Sequence, residues 1–192
     1  SLQGEGYNTG MSAVFIRLGK CNLACAWCDT DYLKFGMMRL SDILSRLQTY
    51  AARNIIITGG EPTIQPHLSV LLDALKAQGY RLCIETNGLK PAPVQIDYVA
   101  ASPKACYAEK YRQQCIEAAD EVRIVADGDV LAFCAEMEQK IRAAHYYLSP
   151  CEIDGQMNIY DTIRQIGLLN ARADAQVHWQ LSVQTHKWAG IE

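Results

Sequence analysis

Short apolar runs rich in β-branched residues recur along the chain at Ala13–Leu18, Asn54–Thr58, Arg81–Thr86, Tyr98–Ala101, Glu121–Val125, His145–Leu148 and Val177–Val183. Several are nearly continuous in hydrophobicity, the pattern of strands covered on both faces. Between them the apolar positions switch to the helical period. Ile43, Leu44, Leu47 and Tyr50 share one face; Leu68, Leu71, Leu72 and Leu75 share another, and Val130, Cys134, Met137 and Ile141 a third. A fourth helix is predicted from about Met157 to Asn170, with Ile159, Ile163, Ile166 and Leu169 turned inward. Ser41 can cap the first helix, and Gly79 can stop the second.

Strands alternating with helices imply right-handed βαβ units and a parallel sheet. Six or seven strands with about four good helices are too few for a full eight-unit barrel, which takes about 250 residues. The predicted fold is therefore α/β: an abridged, open (β/α) partial TIM-type barrel with mostly parallel strands. Without repeats, low-complexity tracts or a linker, residues 1–192 read as one domain. The chain opens at Ser1 rather than Met, in what reads as the middle of a motif, so a few further native residues are expected before it.

Composition narrows the function classes. With 18 lysines and arginines against 21 aspartates and glutamates, the net charge of −3 argues against a direct nucleic-acid footprint. No stretch approaches the about 18 apolar residues of a membrane span, and no signal peptide opens the chain. Of the eight cysteines, Cys21, Cys25 and Cys28 fall within eight residues, while Cys83, Cys106, Cys115, Cys134 and Cys151 are scattered. That distribution suits a reducing cytoplasm and one metal or cofactor cluster better than a disulfide scaffold. Cys83, Cys106, Cys115 and Cys134 read as buried small hydrophobes.

In parallel α/β architectures the chemistry sits where strands end. Directly after the first strand comes Gly19-Lys20-Cys21-Asn22-Leu23-Ala24-Cys25-Ala26-Trp27-Cys28-Asp29-Thr30. Three soft sulfur ligands on one short loop select an iron–sulfur cluster, zinc or Cu(I). A structural zinc site wants a fourth ligand, for which the nearest candidates are His67 and Cys83. The second strand ends in Gly59-Gly60-Glu61-Pro62, and consecutive glycines let a backbone approach a ligand without Cβ obstruction. On residue types alone, a zinc- or cluster-binding module without catalytic activity stays open beside an enzyme.

The CxxxCxxC spacing with an aromatic before the third cysteine, followed by the GGEP turn, resembles the radical S-adenosylmethionine (SAM) superfamily. There the three cysteines hold a [4Fe-4S] cluster whose open iron chelates the methionine part of SAM. Within that superfamily, Ser1-Leu2-Gln3-Gly4-Glu5-Gly6, Phe15-Ile16-Arg17-Leu18, Trp27-Cys28-Asp29-Thr30 and Thr58-Gly59-Gly60-Glu61-Pro62 are similar to the 7-carboxy-7-deazaguanine synthase family. So are Glu85-Thr86-Asn87-Gly88, Ser102-Pro103-Lys104 and Gln184-Thr185-His186-Lys187. A glycyl-radical activase shares the cysteine spacing but has no use for the Gln-Gly-Glu opening.

The resemblance implies conversion of 6-carboxy-5,6,7,8-tetrahydropterin to 7-carboxy-7-deazaguanine with loss of ammonia, a step toward queuosine. A 5′-deoxyadenosyl radical removes hydrogen from C6, the ring contracts, and SAM is regenerated, with Mg2+ assisting. It also implies a homodimer and a reductant protein such as flavodoxin. Carried onto this chain, Cys21, Cys25 and Cys28 hold the cluster, and Thr30 supplies a hard oxygen to Mg2+. Trp27, Cys28, Asp29, Gly60, Ser102, Pro103 and Lys104 match SAM-binding positions. Leu148, Ser149, Pro150 and Cys151 match a further SAM segment, in which relatives often have Gln where Ser149 stands. Leu2, Gln3, Gly4, Glu5, Arg17, Thr58, His186 and the chain-terminal Glu192 match substrate positions, and Arg17 suits a bidentate grip on the substrate carboxylate. No protein acid or base is implied as a catalyst.

Overall fold

A computed structural model describes residues 1–153 and 155–191. Seven strands form one sheet in chain order: β1 (Val14–Leu18), β2 (Asn54–Gly59), β3 (Arg81–Thr86), β4 (Tyr98–Ala101), β5 (Glu121–Ala126), β6 (His145–Pro150) and β9 (Trp179–Leu181). Every neighbouring pair is parallel. β1 and β9 are the two edges and do not pair with each other, so the barrel stays open. The connecting helices are α1 (Leu40–Leu47), α2 (Leu68–Ala77), α3 (Ala108–Gln113), α4 (Leu131–Lys140) and α5 (Ile159–Asn170). A small antiparallel hairpin, β7 (Glu152–Ile153) with β8 (Gln156–Met157), precedes α5, and α6 (Thr185–Ala189) follows β9. Among the described residues no helix is long and apolar enough to cross a membrane.

The period-two alternation of each strand sorts its side chains into two cores. Ile55, Ile57, Leu82 and Ile84 point outward and pack with Leu68, Leu72 and Leu75 of α2. Val122, Ile124, Tyr146 and Leu148 do the same against Met137 and Leu169 of α4 and α5. Each such fully buried aliphatic side chain contributes about 1.5–3 kcal/mol. The opposite face is smaller and mixed: Ala13, Ile56, Cys83, Tyr98 and Ala100 form its apolar floor. Along β3, β5 and β6 that floor gives way to Glu85, Glu121, Arg123 and Ser149.

Several local expectations are corrected. Ser41 lies inside α1 and bonds Asp42; the cap position is Arg39, which makes no side-chain cap bond. Tyr50 lies beyond α1 and is exposed. α5 starts at Ile159 because Met157 belongs to the hairpin, and Ile163 faces outward. Its inward positions include Thr162 and Gln165, which are polar yet satisfied: Gln165 accepts from Val130 N–H and donates to the Gly128 carbonyl. Cys106 is exposed and Cys115 half-buried, whereas Cys83 and Cys134 are buried.

Candidate active site

Parallel strands release their chains at the same end, so seven exits crowd one mouth. β1 opens there into the cysteine loop, β2 into Gly59-Gly60, β3 into Asn87, β4 into Ser102, β5 into Asp127, β6 into Cys151 and β9 into Ser182. The exits of β1 and β2 touch directly. Gly60 N–H donates to the Leu18 carbonyl at 2.8 Å and Glu61 N–H to the Lys20 carbonyl at 2.9 Å. A Cβ on Gly60 would overlap the Lys20 carbonyl and lie 3.1 Å from the Cys21 nitrogen, so only glycine fits. The glycine turn thus backs the cysteine loop, a packing reason for Gly60 besides any ligand.

Glu61 ties the next exit into this wall. Its buried carboxylate accepts from Thr63 N–H at 3.0 Å, Thr63 Oγ1 at 2.6 Å, Thr86 Oγ1 at 2.7 Å and Asn87 N–H at 2.7 Å. Asn87 in turn donates its side-chain amide to Asn22 Oδ1 at 2.7 Å, inside the cysteine loop.

Cys21 and Cys25 are half-buried and Cys28 is exposed, all three as free thiols. Burial raises the Cys21 thiol and pushes Cys25 up to about 12; the nearby Cys28 adds to both. Leu23 N–H points at Cys21 Sγ from 3.4 Å. Among the described residues no three His, Cys, Asp or Glu side chains are drawn together as ligands of a single ion. His67 stands at the start of α2, and Cys83 is buried on the apolar floor. Cys106 lies beside Cys25, and Ala24 N–H is held by Tyr107 Oη at 3.0 Å, so the loop is docked on the segment after β4.

The expected SAM positions converge on the same side. Trp27 donates to Asp127 at 2.8 Å, and the Lys104 ammonium sits 5.3 Å above the Trp27 ring while bonding Ser102 Oγ at 2.6 Å. Burial holds the Lys104 amine below its usual range. Cys151 N–H is fixed by Asn158, whose amide also caps the Ala126 carbonyl at the end of β5. Among the described residues, Ser149 Oγ, buried on the inner face of β6, has no hydrogen-bond partner. An orphaned hydroxyl there suits a polar ligand supplied from outside the chain. Three soft thiols, a backbone turn stripped of Cβ atoms and this hydroxyl fit a cluster with a bound organic cofactor.

The expected substrate positions divide between the strands and an N-terminal loop. Residues 1–3 pair back on 11–13, leaving residues 4–10 as a loop over the inner face. Arg17 and Thr58 stand in register on β1 and β2, with Arg17 exposed over the Phe15 ring. Gln3 donates to Glu85 at 2.7 Å; Glu5 lies 3.4 Å from Arg123, which also grips Glu85 and Glu121. Burial pushes the Glu85 carboxyl up to about 7 although Arg123 pulls the other way. Despite its own burial, Arg123 is held above its usual range by Glu85, Glu5 and Glu121. His186 belongs to α6 rather than to a strand exit, and packs so closely on Gly4 that a Cβ there would lie 2.7 Å from its Cγ. Lys187 reaches Asp29 at 2.8 Å, linking α6 to the cysteine loop. Glu192 lies outside the described residues. Leu2 is 40% exposed, with only its backbone turned to the pairing at Ser12.

The Glu121 and Arg123 pair is not anticipated from the sequence because the β5 run reads as a buried strand. The overlooked signal is two charges at i and i+2, which places both on one face of a strand whose alternate residues are core.

Comparisons with known proteins agree with this geometry. The radical SAM superfamily model matches residues 15–106. The chain is 83% identical to the 7-carboxy-7-deazaguanine synthase of Neisseria meningitidis serogroup B, over all of this chain and 91% of that protein. Identity to the Haemophilus influenzae protein of the same name is 58%, over all of this chain and 90% of that one. The crystal structure of QueE from Escherichia coli superimposes with a TM-score of 0.68 at 27% identity, covering 96% of this chain and 90% of that chain. Streptococcus suis SuiB bound to S-adenosylmethionine shares the fold, at TM-score 0.52 and 14% identity over 88% of this chain and 46% of that one. With a full-length relative this similar and a matching architecture around the cysteine loop, the chain belongs to the 7-carboxy-7-deazaguanine synthase family of radical SAM proteins.

Proposed function

We propose that this chain converts 6-carboxy-5,6,7,8-tetrahydropterin to 7-carboxy-7-deazaguanine with loss of ammonia. The observation that carries the reading is the meeting, at one strand-exit mouth, of the cysteine loop, the glycine turn and the polar wall of Gln3, Glu5, Arg17, Thr58 and Glu85. It occurs in a chain that matches a synthase over its whole length.

Membership of the radical SAM superfamily implies a [4Fe-4S] cluster and SAM. When bound and reduced, these would supply the radical chemistry that opens the reaction at the substrate. The chain's own part is placement. Cys21, Cys25 and Cys28 would hold the cluster. The carbonyls around Gly60 would accept from the methionine ammonium, and Trp27, Asp29, Ser102-Pro103-Lys104 and residues 148–151 would contact the cofactor. With Ser149 in place of a longer side chain, its hydroxyl and the backbone carry that contact.

Gln3, Glu5 and Glu85 offer an amide and carboxylates to the donor–acceptor edge of a pterin. Glu85, with its raised pKa, can face that edge either as acceptor or as donor. Arg17, exposed and carrying a planar fork, grips the substrate carboxylate. Thr58 and His186 border the ring. Thr30 is the proposed hard-oxygen contact to Mg2+. Residues 1–192 act as one domain, in a homodimer supplied with electrons by a flavodoxin-like protein.

The test is anaerobic reconstitution followed by iron and sulfide analysis and product identification by mass spectrometry. Expected are about four irons and four sulfides per chain, their loss on Cys21→Ser, Cys25→Ser or Cys28→Ser, and formation of the deazaguanine acid. SAM cleavage without ring contraction would exclude the substrate. Failure of Cys106→Ala alone to load a cluster would identify a fourth sulfur ligand and exclude an open iron.

A further inference from the structure

Glu121 matches none of the expected cofactor or substrate positions, yet it is 1% exposed and its carboxylate accepts three hydrogen bonds. One oxygen accepts from Arg123 at 2.7 Å; the other accepts from Tyr98 Oη and from the backbone N–H of Tyr7, both at 2.9 Å. The preceding N–H, of Gly6, donates to Ser182 Oγ at 2.9 Å. Two consecutive amides of the N-terminal loop are therefore held by side chains from β5 and from the exit of β9. Gly6 has φ of +65°, and a Cβ on it would lie 2.6 Å from Glu121 Oε2, so the loop is laid directly on the carboxylate. The Tyr7 ring completes the seat by stacking on His145 at 4.1 Å.

A buried carboxylate is costly unless fully bonded, and an apolar side chain would fill the base of β5 without that cost. What Glu121 adds is geometry. Through Tyr7 N–H it sets the height of the loop that carries Gln3, Gly4 and Glu5. Through Arg123 it aims the guanidinium that meets Glu5 and Glu85. It does so from beneath: the cavity it shares with Gln3, Glu5 and Glu85 measures about 10 Å³, room for one water and not for a ring.

We propose that Glu121 is a positioning residue for substrate recognition, acting through the residue 3–7 loop and Arg123 without touching the substrate. The proposal rests on the reading of that loop as the pterin contact. Its test compares Glu121→Ala, Glu121→Gln and Gly6→Ala in the reconstituted enzyme. The measurements are kcat and KM for 6-carboxytetrahydropterin, SAM cleavage without substrate, and hydrogen–deuterium exchange of residues 2–9. Loss of a charge-assisted anchor corresponds to a KM rise of about ten- to hundredfold. Expected alongside it are faster exchange confined to residues 2–9 and unchanged substrate-free SAM cleavage. Gly6→Ala should give the same pattern from the loop's side, and the Gly6→Ala/Glu121→Ala double variant should be less impaired than the two single effects combined.

Unchanged KM and unchanged exchange in Glu121→Ala would overturn the proposal, as would loss of SAM cleavage in parallel with KM. If Glu121→Ala does not fold, Glu121→Gln decides on the same readouts. Gln3→Ala and Glu5→Gln separate the two ideas. If these leave KM unmoved, the pterin-loop reading fails; if they raise it while Glu121 variants do not, only the positioning role fails.

Discussion

Replacing Glu61 by glutamine isolates one charge at the junction of three strand exits. The carboxylate receives Thr63 N–H, Thr63 Oγ1 and Thr86 Oγ1 on one oxygen and Asn87 N–H on the other. An amide keeps one acceptor, best left on the three-donor side, and so turns its own NH2 toward the Asn87 N–H, 2.7 Å away in the wild type. One charge-assisted bond is lost and a buried donor is left facing a donor, which costs about 2–4 kcal/mol. For a chain of this size that lowers Tm by roughly 5–15 °C. Thr86→Val, which removes one of several donors and leaves Gly88 N–H without its 3.2 Å acceptor, should cost about 1 kcal/mol. Calorimetric melts of the metal-free protein under reductant measure both. Because Asn87 also holds Asn22, cluster uptake should fall in Glu61→Gln along with Tm. A Glu61→Gln melt within about 2 °C of wild type, or a larger loss in Thr86→Val, would refute the account of Glu61 as the knot of the wall.

Three further outcomes can be measured. Gly60→Ala forces a Cβ onto the Lys20 carbonyl, costs about 1–3 kcal/mol and displaces Cys21, so iron bound after reconstitution should drop well below wild type. Gly167→Ala, with open space on α5, should leave both iron content and Tm at or above wild type. The Glu85 carboxyl, lifted by burial from 4.5 to about 7, keeps its proton in the folded chain where the unfolded chain has lost it. Wild-type stability relative to Glu85→Gln should therefore fall as pH rises from about 4.5 to about 7 and level off above; parallel Tm curves across that window would contradict it.

Much of the architecture was legible in the amino-acid order because the central strands are largely buried and the longer helices carry clear apolar stripes. Their alternation led to the open α/β barrel without further information. What escaped has physical causes. α3 and α6 are too short to show a period, and β9 pairs with β6 over fewer residues than its apolar run suggested. On α5, Thr162 and Gln165 displace Ile163 from the core because satisfied hydrogen bonds make polar burial acceptable. The cysteine loop and the glycine turn stood out by spacing. The contacts of Glu121, Ser182 and Thr185 with the N-terminal loop could not, since nothing local relates residues 4–7 to residues more than a hundred positions away.

That last arrangement has a consequence for biosynthesis. Gly4 and Gly6 are synthesised long before their partners Thr185 and Ser182. The strands and helices between can assemble progressively as they emerge, each βα unit docking on its predecessor. The loop of residues 4–7 must wait, unseated, until those partners have been made. Seating of the N-terminal loop is thus a late act of maturation, and a nascent chain stalled before residue 182 would be folded through most of its sheet with that loop still unseated.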